Sequence, residues 1–395
     1  MDIITEVNKC YGCSACMNIC PKGAIKMLPN DKGFLYPKID SNLCVNCNMC
    51  KNVCPSENEI LHNKYNQKFY ALKNKDNGVR ENSSSGGVYH ELIQYVLNKN
   101  GTCYGAVFNK DLSVVHSRGT TVEECNKQKG AKYVQSTIGM IYKDVKKDLL
   151  NNKVVLFSGT PCEVQGLKNY LINIDTTNLI LCDIICHGVP SPLIYNTYIK
   201  GIEKRYKSKV IEINFRKKDK TYGIKNMLFK LEDGRKVFIP SYYDTFYHLF
   251  DNELILRESC YTCEFSKSER VGDISIGDFW GIEKLNSTFN DNYGVSLAII
   301  NSKKGEEIFS NINNNFKVIE STIKLAQQPS LVHPTLKNKN YNRFWKEFNG
   351  RNLDDLDLKY SDRNQFKKVI SRFLNFTGIK FTLNKIKKKE MIINE

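Results

Sequence analysis

The chain has 395 residues, 41% of them hydrophobic and 25% charged, with a formal net charge of +16; that is ordinary for a folded globular protein and long enough for two or three domains. No apolar run reaches the roughly 18–20 residues that cross a bilayer. The opening MDIITEVNKC lacks the apolar core of a signal peptide, so a cytoplasmic location is expected. Thiols stay reduced there, which makes the fifteen cysteines candidates for metal or redox chemistry, not a disulfide framework. The basic residues are spread along the chain with one excess near the C-terminus. No cluster joins them to aromatics, so nucleic acid is not expected as a partner.

The first element is a repeat. CYGCSACMNICP (Cys10–Pro21) and CVNCNMCKNVCP (Cys44–Pro55) both read C-x2-C-x2-C-x3-C-P, the spacing of bacterial two-cluster ferredoxins. Three thiolates two residues apart can wrap one face of a cubane cluster. The fourth, followed by a proline that turns the chain away, reaches the other cluster. Cys10, Cys13, Cys16 and Cys54 are therefore expected to hold one [4Fe–4S] cluster, and Cys44, Cys47, Cys50 and Cys20 a second. Paired structural zinc sites are the alternative, but these usually take CxxC knuckles, often with His. Short strand-like stretches follow at Ala24–Leu28 and Phe34–Ile39.

From Lys68 onward strands and helices alternate. Strands are expected at Lys68–Asn74, Thr102–Phe108, Leu112–His116, Val154–Gly159, Asn178–Ile185, Val210–Phe215, Met227–Glu232, Lys236–Ile239 and Ser296–Ile300. Helices are expected over Gly87–Asn98 and Gly139–Leu150, from Cys162, after Ser191 to about Tyr206, and from Lys303. The last 55 or so residues read as mainly helical. No GxGxxG follows a strand and no Walker loop is present, so a standard dinucleotide site is unsupported.

Several motifs stand out in this body. SSSGG (Ser83–Gly87) opens a helix, where hydroxyls and backbone amides suit a phosphate; a plain N-cap is the alternative. GAKYVQS (Gly130–Ser136) offers a Lys for a phosphate and a Tyr for an aromatic ring. GTPC (Gly159–Cys162) and CHGVPSP (Cys186–Pro192) each end an apolar strand, where α/β sheets place ligands. With the lone CYTC of Cys260 and Cys263, Cys162 and Cys186 could close a third [4Fe–4S] site, or all four could be ordinary buried cysteines. Cys103, Cys125 and Cys182 read as structural, with Cys182 the nearest rival to Cys186. His187 either donates a proton near neutrality or is a hydrogen-bonded structural residue.

Taken together, SSSGG, GAKYVQS, LFSGTPCEVQGLK, CDIICHGVPSP, FRKKDKTYG and LRESCYTCEFSKSERVGDISIGDFWGI resemble the coenzyme F-420 hydrogenase/dehydrogenase beta-subunit family. In this chain a dicluster ferredoxin domain is fused ahead of that body. The resemblance runs from about residue 68 to 305 and implies FAD beside the clusters. It implies a third cluster on Cys162, Cys186, Cys260 and Cys263. It places FAD near Ser85, Gly86 and Gly87, near Gly130, Lys132 and Tyr133, and near Gly159, Thr160 and Pro161. Tyr222 stands where many relatives carry Trp. Many bacterial relatives of this architecture occur with polysaccharide-biosynthesis genes.

The expected protein is thus α+β. It has a two-cluster ferredoxin-like domain at 1–58, a mixed α/β flavin-binding body at 66–330 and a basic helical extension at 331–395. Its expected partners are ferredoxin or another redox protein and a small-molecule or lipid-linked substrate. An electron-transfer subunit serving a separate catalytic partner is the alternative. In the extension, Phe366, Val369, Ile370, Phe373 and Leu374 recur at helical spacing with Lys367, Lys368 and Arg372 between them, and KIKKK follows. Such a helix either packs on the body or makes a weak contact with an anionic membrane surface.

Overall fold

The computed structural model describes residues 3–361 except 5, 61, 63, 64 and 292, together with the backbone of 391–393. The basic amphipathic segment from Phe366 to Lys389 lies outside the described residues.

An antiparallel hairpin, β1 (Ile25–Pro29) and β2 (Leu35–Ile39), closes the N-terminal region. Its turn is held by Asn30 Oδ1, which accepts from the amides of Lys32 (3.1 Å) and Phe34 (2.9 Å). The body is built on an eight-stranded mixed sheet. Its members are β3 (Lys68–Asn74), β4 (Thr102–Phe108), β5 (Val114–Gly119), β6 (Val155–Gly159), β7 (Leu179–Ile184), β11 (Ile274–Asp278), β12 (Ser296–Ile300) and β13 (Phe316–Ser321). The spatial order is β13-β3-β12-β11-β7-β6-β4-β5, with β4, β6, β7 and β11 parallel. These central strands are buried on both faces, as parallel strands must be. Val155, Phe157, Leu179 and Leu181 face the helices Ile141–Leu150 and Pro161–Tyr170. Leu156, Ile180 and Cys182 alternate to the other face, under Val88–Leu97 and Lys303–Ile312.

A second, four-stranded sheet joins β8 (Val210–Asn214), β9 (Asn226–Leu231), β10 (Lys236–Pro240) and the short β14 (Met391–Ile393), in the order β14-β10-β9-β8. Its core also takes in the helices Pro192–Tyr206, Thr245–Asp251, Tyr341–Glu347 and Leu353–Tyr360 through Ile194, Phe246, Phe344 and Leu356.

The structure departs from the expected elements in several places, the helix Thr245–Asp251 among them. β5 begins at Val114 because Leu112 adopts a left-handed φ of 63° in the turn before it. β11 and β13 are additional strands. Residues 391–393, expected to be helical, pair as a strand with β10. Among the described residues no helix is long and apolar enough to cross a membrane.

Candidate metal centres and cofactor site

The sequence repeat is also a backbone repeat. Gly12 and Asn46 are both left-handed (φ 73° and 53°), as are Ser14 and Asn48 (φ 61° and 59°). These pairs flank Cys13 and Cys47 and curl each loop tightly before it enters a single turn of helix, Ala15–Ile19 or Met49–Asn52.

Cys20, Cys44, Cys47 and Cys50 line one cavity of about 370 Å³, open to solvent. The first of them comes from the other run. Cys47 is exposed and the other three are half-buried. Exposed Leu43, Val45 and Met49 surround this group. Cys10, Cys13, Cys16 and Cys54 form a second group and are only 5–8% exposed. Burial pushes the Cys13 and Cys16 thiols up, and the charges of Cys54 and Cys10 add to it. Burial likewise pushes Cys54 up to about 11, with Cys10 contributing.

Cys162, Cys186, Cys260 and Cys263 line a third cavity of about 450 Å³. Adjacent parallel strands β6 and β7 pair Gly159 with Asp183, so their carboxyl ends deliver Cys162 and Cys186 to one edge. Thr160 caps the helix that carries Cys162 by a reciprocal capping box with Glu163. The short 3-10 turn Glu258–Thr262 brings Cys260 and leads into Cys263. The segment beyond it is fastened to β7 by the fully buried Arg270–Asp183 pair (2.8 Å). Burial, then neighbouring Cys263, pushes Cys260 up to about 12. Cys186 is raised by burial, then by Cys260 and Cys263. Four neighbouring thiols that repel one another's ionised forms suit a cationic metal cluster, whose charge makes them thiolates. Among the described residues no three His, Cys, Asp or Glu side chains converge on a single-ion site; the cysteines ring cavities instead.

The buried group and the third cavity are neighbours along one helix. Cys162 and Gly166 are one turn apart, about 6 Å, on the same face of Pro161–Tyr170. A Cβ on Gly166 would come within 3.0 Å of Cys13 Sγ, so the glycine lets this helix lie against the first cysteine loop. Tyr11, next to Cys10, lines the third cavity and meets Phe265 edge-on at 5.1 Å.

A different set of side chains gathers at the carboxyl end of β3 and β11. Ser83–Gly87 passes so close to the sheet that a Cβ on Gly86 would sit 2.1 Å from the Leu72 carbonyl. Gly87, with φ 93°, starts the helix Val88–Leu97 without a side-chain cap. Ser84 Oγ accepts from the Ala131 amide (2.7 Å), which joins this loop to Gly130–Tyr133. Arg216 clamps both: it donates to Asp278 through two bonds (2.8 and 3.0 Å), to the Ser84 carbonyl (2.9 Å) and to Tyr133 Oη (3.1 Å). Lys218 donates to the carbonyls of Ser85 (3.1 Å), Tyr293 (2.5 Å) and Arg80. Burial, with Arg216 and Arg80 adding, pushes Lys218 down to about 7. Lys73 and Arg80 share Asp291. Three buried polar atoms here, Ser85 Oγ, Arg80 Nε and Arg216 Nε, have no hydrogen-bond partner. This cationic end with unused donors fits an anionic cofactor such as a dinucleotide diphosphate.

The model for the carboxyl-terminal part of the coenzyme F420 hydrogenase/dehydrogenase beta subunit matches residues 152–324. The model for a 4Fe-4S dicluster domain matches residues 9–58. Residues 152–324 are thus similar to the carboxyl-terminal part of the coenzyme F420 hydrogenase/dehydrogenase beta subunit, and a 4Fe-4S dicluster domain precedes them. The chain is an iron–sulfur electron-transfer protein related to that beta subunit, with a ferredoxin-type domain fused ahead of the matching part. A chain in the xenon-derivatised structure of the F420-reducing [NiFe] hydrogenase complex from Methanosarcina barkeri is similar over 78% of this chain and 92% of that one, at 16% identity and a TM-score of 0.46. No curated protein matches.

The structure brings Ser85–Gly87 and Gly130–Tyr133 together. It places Gly159, Thr160 and Pro161 about three strand spacings, roughly 14 Å, from the β12 edge that Gly86 touches. Thr160 and Pro161 line the third cysteine cavity. Lys132 turns inward and donates to the carbonyls of Gln128, Lys129 and Gly130; burial pushes it down to about 7. His187 lines the third cavity beside Cys186. Its Nε2 lies 3.7 Å from Glu253, and burial lowers its pKa. Cys182 lies in the sheet core with Cys103 and Cys125. Tyr222 packs at 6.1 Å on Phe238 of β10. Sequence reasoning did not assign Arg216, Lys218, Asp278 or Arg257. Arg216 and Lys218 sit in FRKKDKTYG, where the run of cations between strands was the available signal.

Proposed function

We propose that this chain is a ferredoxin-linked FAD-dependent oxidoreductase. Two [4Fe–4S] clusters would sit on Cys10, Cys13, Cys16, Cys54 and on Cys20, Cys44, Cys47, Cys50. A third would sit on Cys162, Cys186, Cys260 and Cys263, and FAD at the carboxyl end of the large sheet. The observation that carries this reading is the face of Pro161–Tyr170, which sets Cys162 in the third cavity and Gly166 against Cys13. Three cysteine groups follow one another from an exposed rim to the end of a sheet. Electrons would enter from ferredoxin or another redox protein at the exposed group and pass inward; the reverse direction uses the same order.

FAD, when bound, collects single electrons and supplies two-electron chemistry at a substrate. The chain's residues do the rest. The amides of the uncapped Val88–Leu97 helix, with Arg80, Arg216 and Lys218, would hold the diphosphate. Tyr133, packed on Phe215 (5.5 Å) and Phe250 (5.2 Å), offers a wall for an aromatic ring. His187, beside Cys186, is a hydrogen-bonded structural residue, with proton donation as its alternative role.

The substrate is a small-molecule or lipid-linked compound of polysaccharide biosynthesis, a reading that rests on the family resemblance alone. The domains divide at 1–58, 66–330 and 331–395. The protein works in the cytoplasm, and its basic tail either packs on the body or meets an anionic membrane surface. The second reading, an electron-transfer subunit for a separate catalytic partner, is favoured by the exposed apolar rim at Leu43, Val45 and Met49.

Anaerobic purification tests the assignment. About twelve iron and twelve sulfide per chain, from three [4Fe–4S] clusters, with one FAD, are expected. About eight iron would remove the third cluster, and zinc in their place would end the cluster reading altogether. Turnover of an acceptor by the purified chain with reduced ferredoxin separates the enzyme from the subunit.

A further inference from the structure

Arg257 is 0% exposed and is the largest fully buried side chain in the described residues. Its Nε donates to the Cys10 carbonyl (2.6 Å), its Nη2 to the Leu35 carbonyl (2.9 Å) and its Nη1 to Gln135 Oε1 (3.4 Å). The guanidinium lies 4.1 Å from the Tyr36 ring centroid and 5.6 Å from that of Phe34. Gly12, between Cys10 and Cys13, presses against it: a Cβ there would sit 3.0 Å from Nη1. On its other side Arg257 lines the third cavity with Cys186, Cys260 and Cys263. It forms no ion pair with a carboxylate among the described residues; neighbouring Glu258 pairs with Lys32 and Lys337 instead.

A guanidinium stays charged at every accessible pH, and a buried charge without a counter-charge is severely destabilising. Three neutral acceptors satisfy its N–H groups but not its charge. The anions placed to do so are the two cysteine groups on either side, each carrying net negative charge once a cluster is assembled. We infer that Arg257 is a shared electrostatic positioning residue for two clusters, the buried one on Cys10, Cys13, Cys16 and Cys54 and the third on Cys162, Cys186, Cys260 and Cys263. Its positive charge favours the reduced, more negative form of both and raises both reduction potentials. The outer group on Cys20, Cys44, Cys47 and Cys50 is open to water and does not touch Arg257, so Arg257 acts on it least. Arg257 thereby biases electrons from the exposed end toward the sheet. For the third cluster this rests on the proposed function; for the buried one it needs only the dicluster domain.

The test is an EPR-monitored redox titration of the whole anaerobic protein, with the outer cluster identified by its loss in Cys47→Ser. In Arg257→Met two potentials should fall and the outer one should stay. Arg257→Lys, which keeps a charge, should recover most of the shift. Because Arg257→Met strands two buried carbonyls and can lose clusters, Gln135→Glu is the second arm. It keeps the acceptor at Nη1, adds the opposing charge, and should lower the same two potentials. Twelve iron with unmoved inner potentials in Gln135→Glu, or equal movement of all three, overturns the inference. Eight iron with one shifted potential removes the third cluster and leaves the role of Arg257 at the buried one standing.

Discussion

The adjacency of two cysteine groups along one helix rests on a single missing methyl, and restoring it makes a sharp experiment. Gly166→Ala puts a Cβ 3.0 Å from Cys13 Sγ, 3.1 Å from Cys13 Cβ and 3.1 Å from Tyr142 Oη. Replacing Gly by Ala inside a helix should gain about 1 kcal/mol. Forcing an atom into a packed site costs about 1–3 kcal/mol. The net effect is then between roughly zero and a loss of about 2 kcal/mol. Gly201, exposed in the helix Pro192–Tyr206 with nothing within 4 Å of its Cβ position, supplies the control. Gly201→Ala should show the gain of about 1 kcal/mol alone. Anaerobic thermal unfolding should therefore place Gly166→Ala a few degrees below Gly201→Ala. The EPR signal of the buried cluster should change in Gly166→Ala and stay unaltered in the control. If Gly166→Ala is stabilised as much as Gly201→Ala, with full iron and an unaltered spectrum, the helix does not lie against Cys13 and the proposed order of clusters fails.

Further outcomes follow from the same geometry. Cys263→Ser should remove about four iron and leave the dicluster pair intact, whereas Cys125→Ser, in the sheet core, should remove none; iron analysis and EPR decide. Lys22, which lines the outer cavity, and Lys51, 49% exposed, present positive charge near the exposed cysteine group. Reversing both to Glu should raise KM for an acidic redox partner several-fold at low salt, lose that effect at high salt, and leave turnover with a neutral small-molecule donor unchanged. Asp244 is buried and its pKa is pushed up by that burial to about 6, above its unfolded value. It therefore favours the folded state at low pH and disfavours it once ionised. Its contribution falls as pH rises from about 4 to 6, by about 3 kcal/mol as an order of magnitude. Asp244→Asn should flatten stability over that window in denaturant titrations; an unchanged slope would assign the dependence elsewhere.

What the sequence made legible was local chemistry. The dicluster ligands could be named because their spacing encodes their geometry, and Gly12/Asn46 and Ser14/Asn48 carry the same repeat into the backbone. Cys162, Cys186, Cys260 and Cys263 have no such spacing. They meet because β6 and β7 are parallel neighbours with Gly159 opposite Asp183, and because the Arg270–Asp183 pair draws the CYTC segment to the same edge. ISIGD escaped as a strand because a short run ending in Gly and Asp has little strand character of its own. It acquires that character by lying between β7 and β12. Least legible were the buried cations. In LRESCYTC an Arg reads as solvated charge, and nothing local says that β2 and the Cys10 loop will close over Arg257. Yet these residues are the most informative in the fold. Arg257 has no carboxylate partner among the described residues, and Arg80 and Arg216 each keep a buried Nε without a hydrogen-bond partner. Burying such charge is tolerable only where an anion shares the site. The two places where this chain gathers unbalanced positive charge are the gap between two cysteine groups and the carboxyl end of its largest sheet. Cysteine geometry points independently to the first of these, and the unpartnered Ser85, Arg80 and Arg216 atoms to the second.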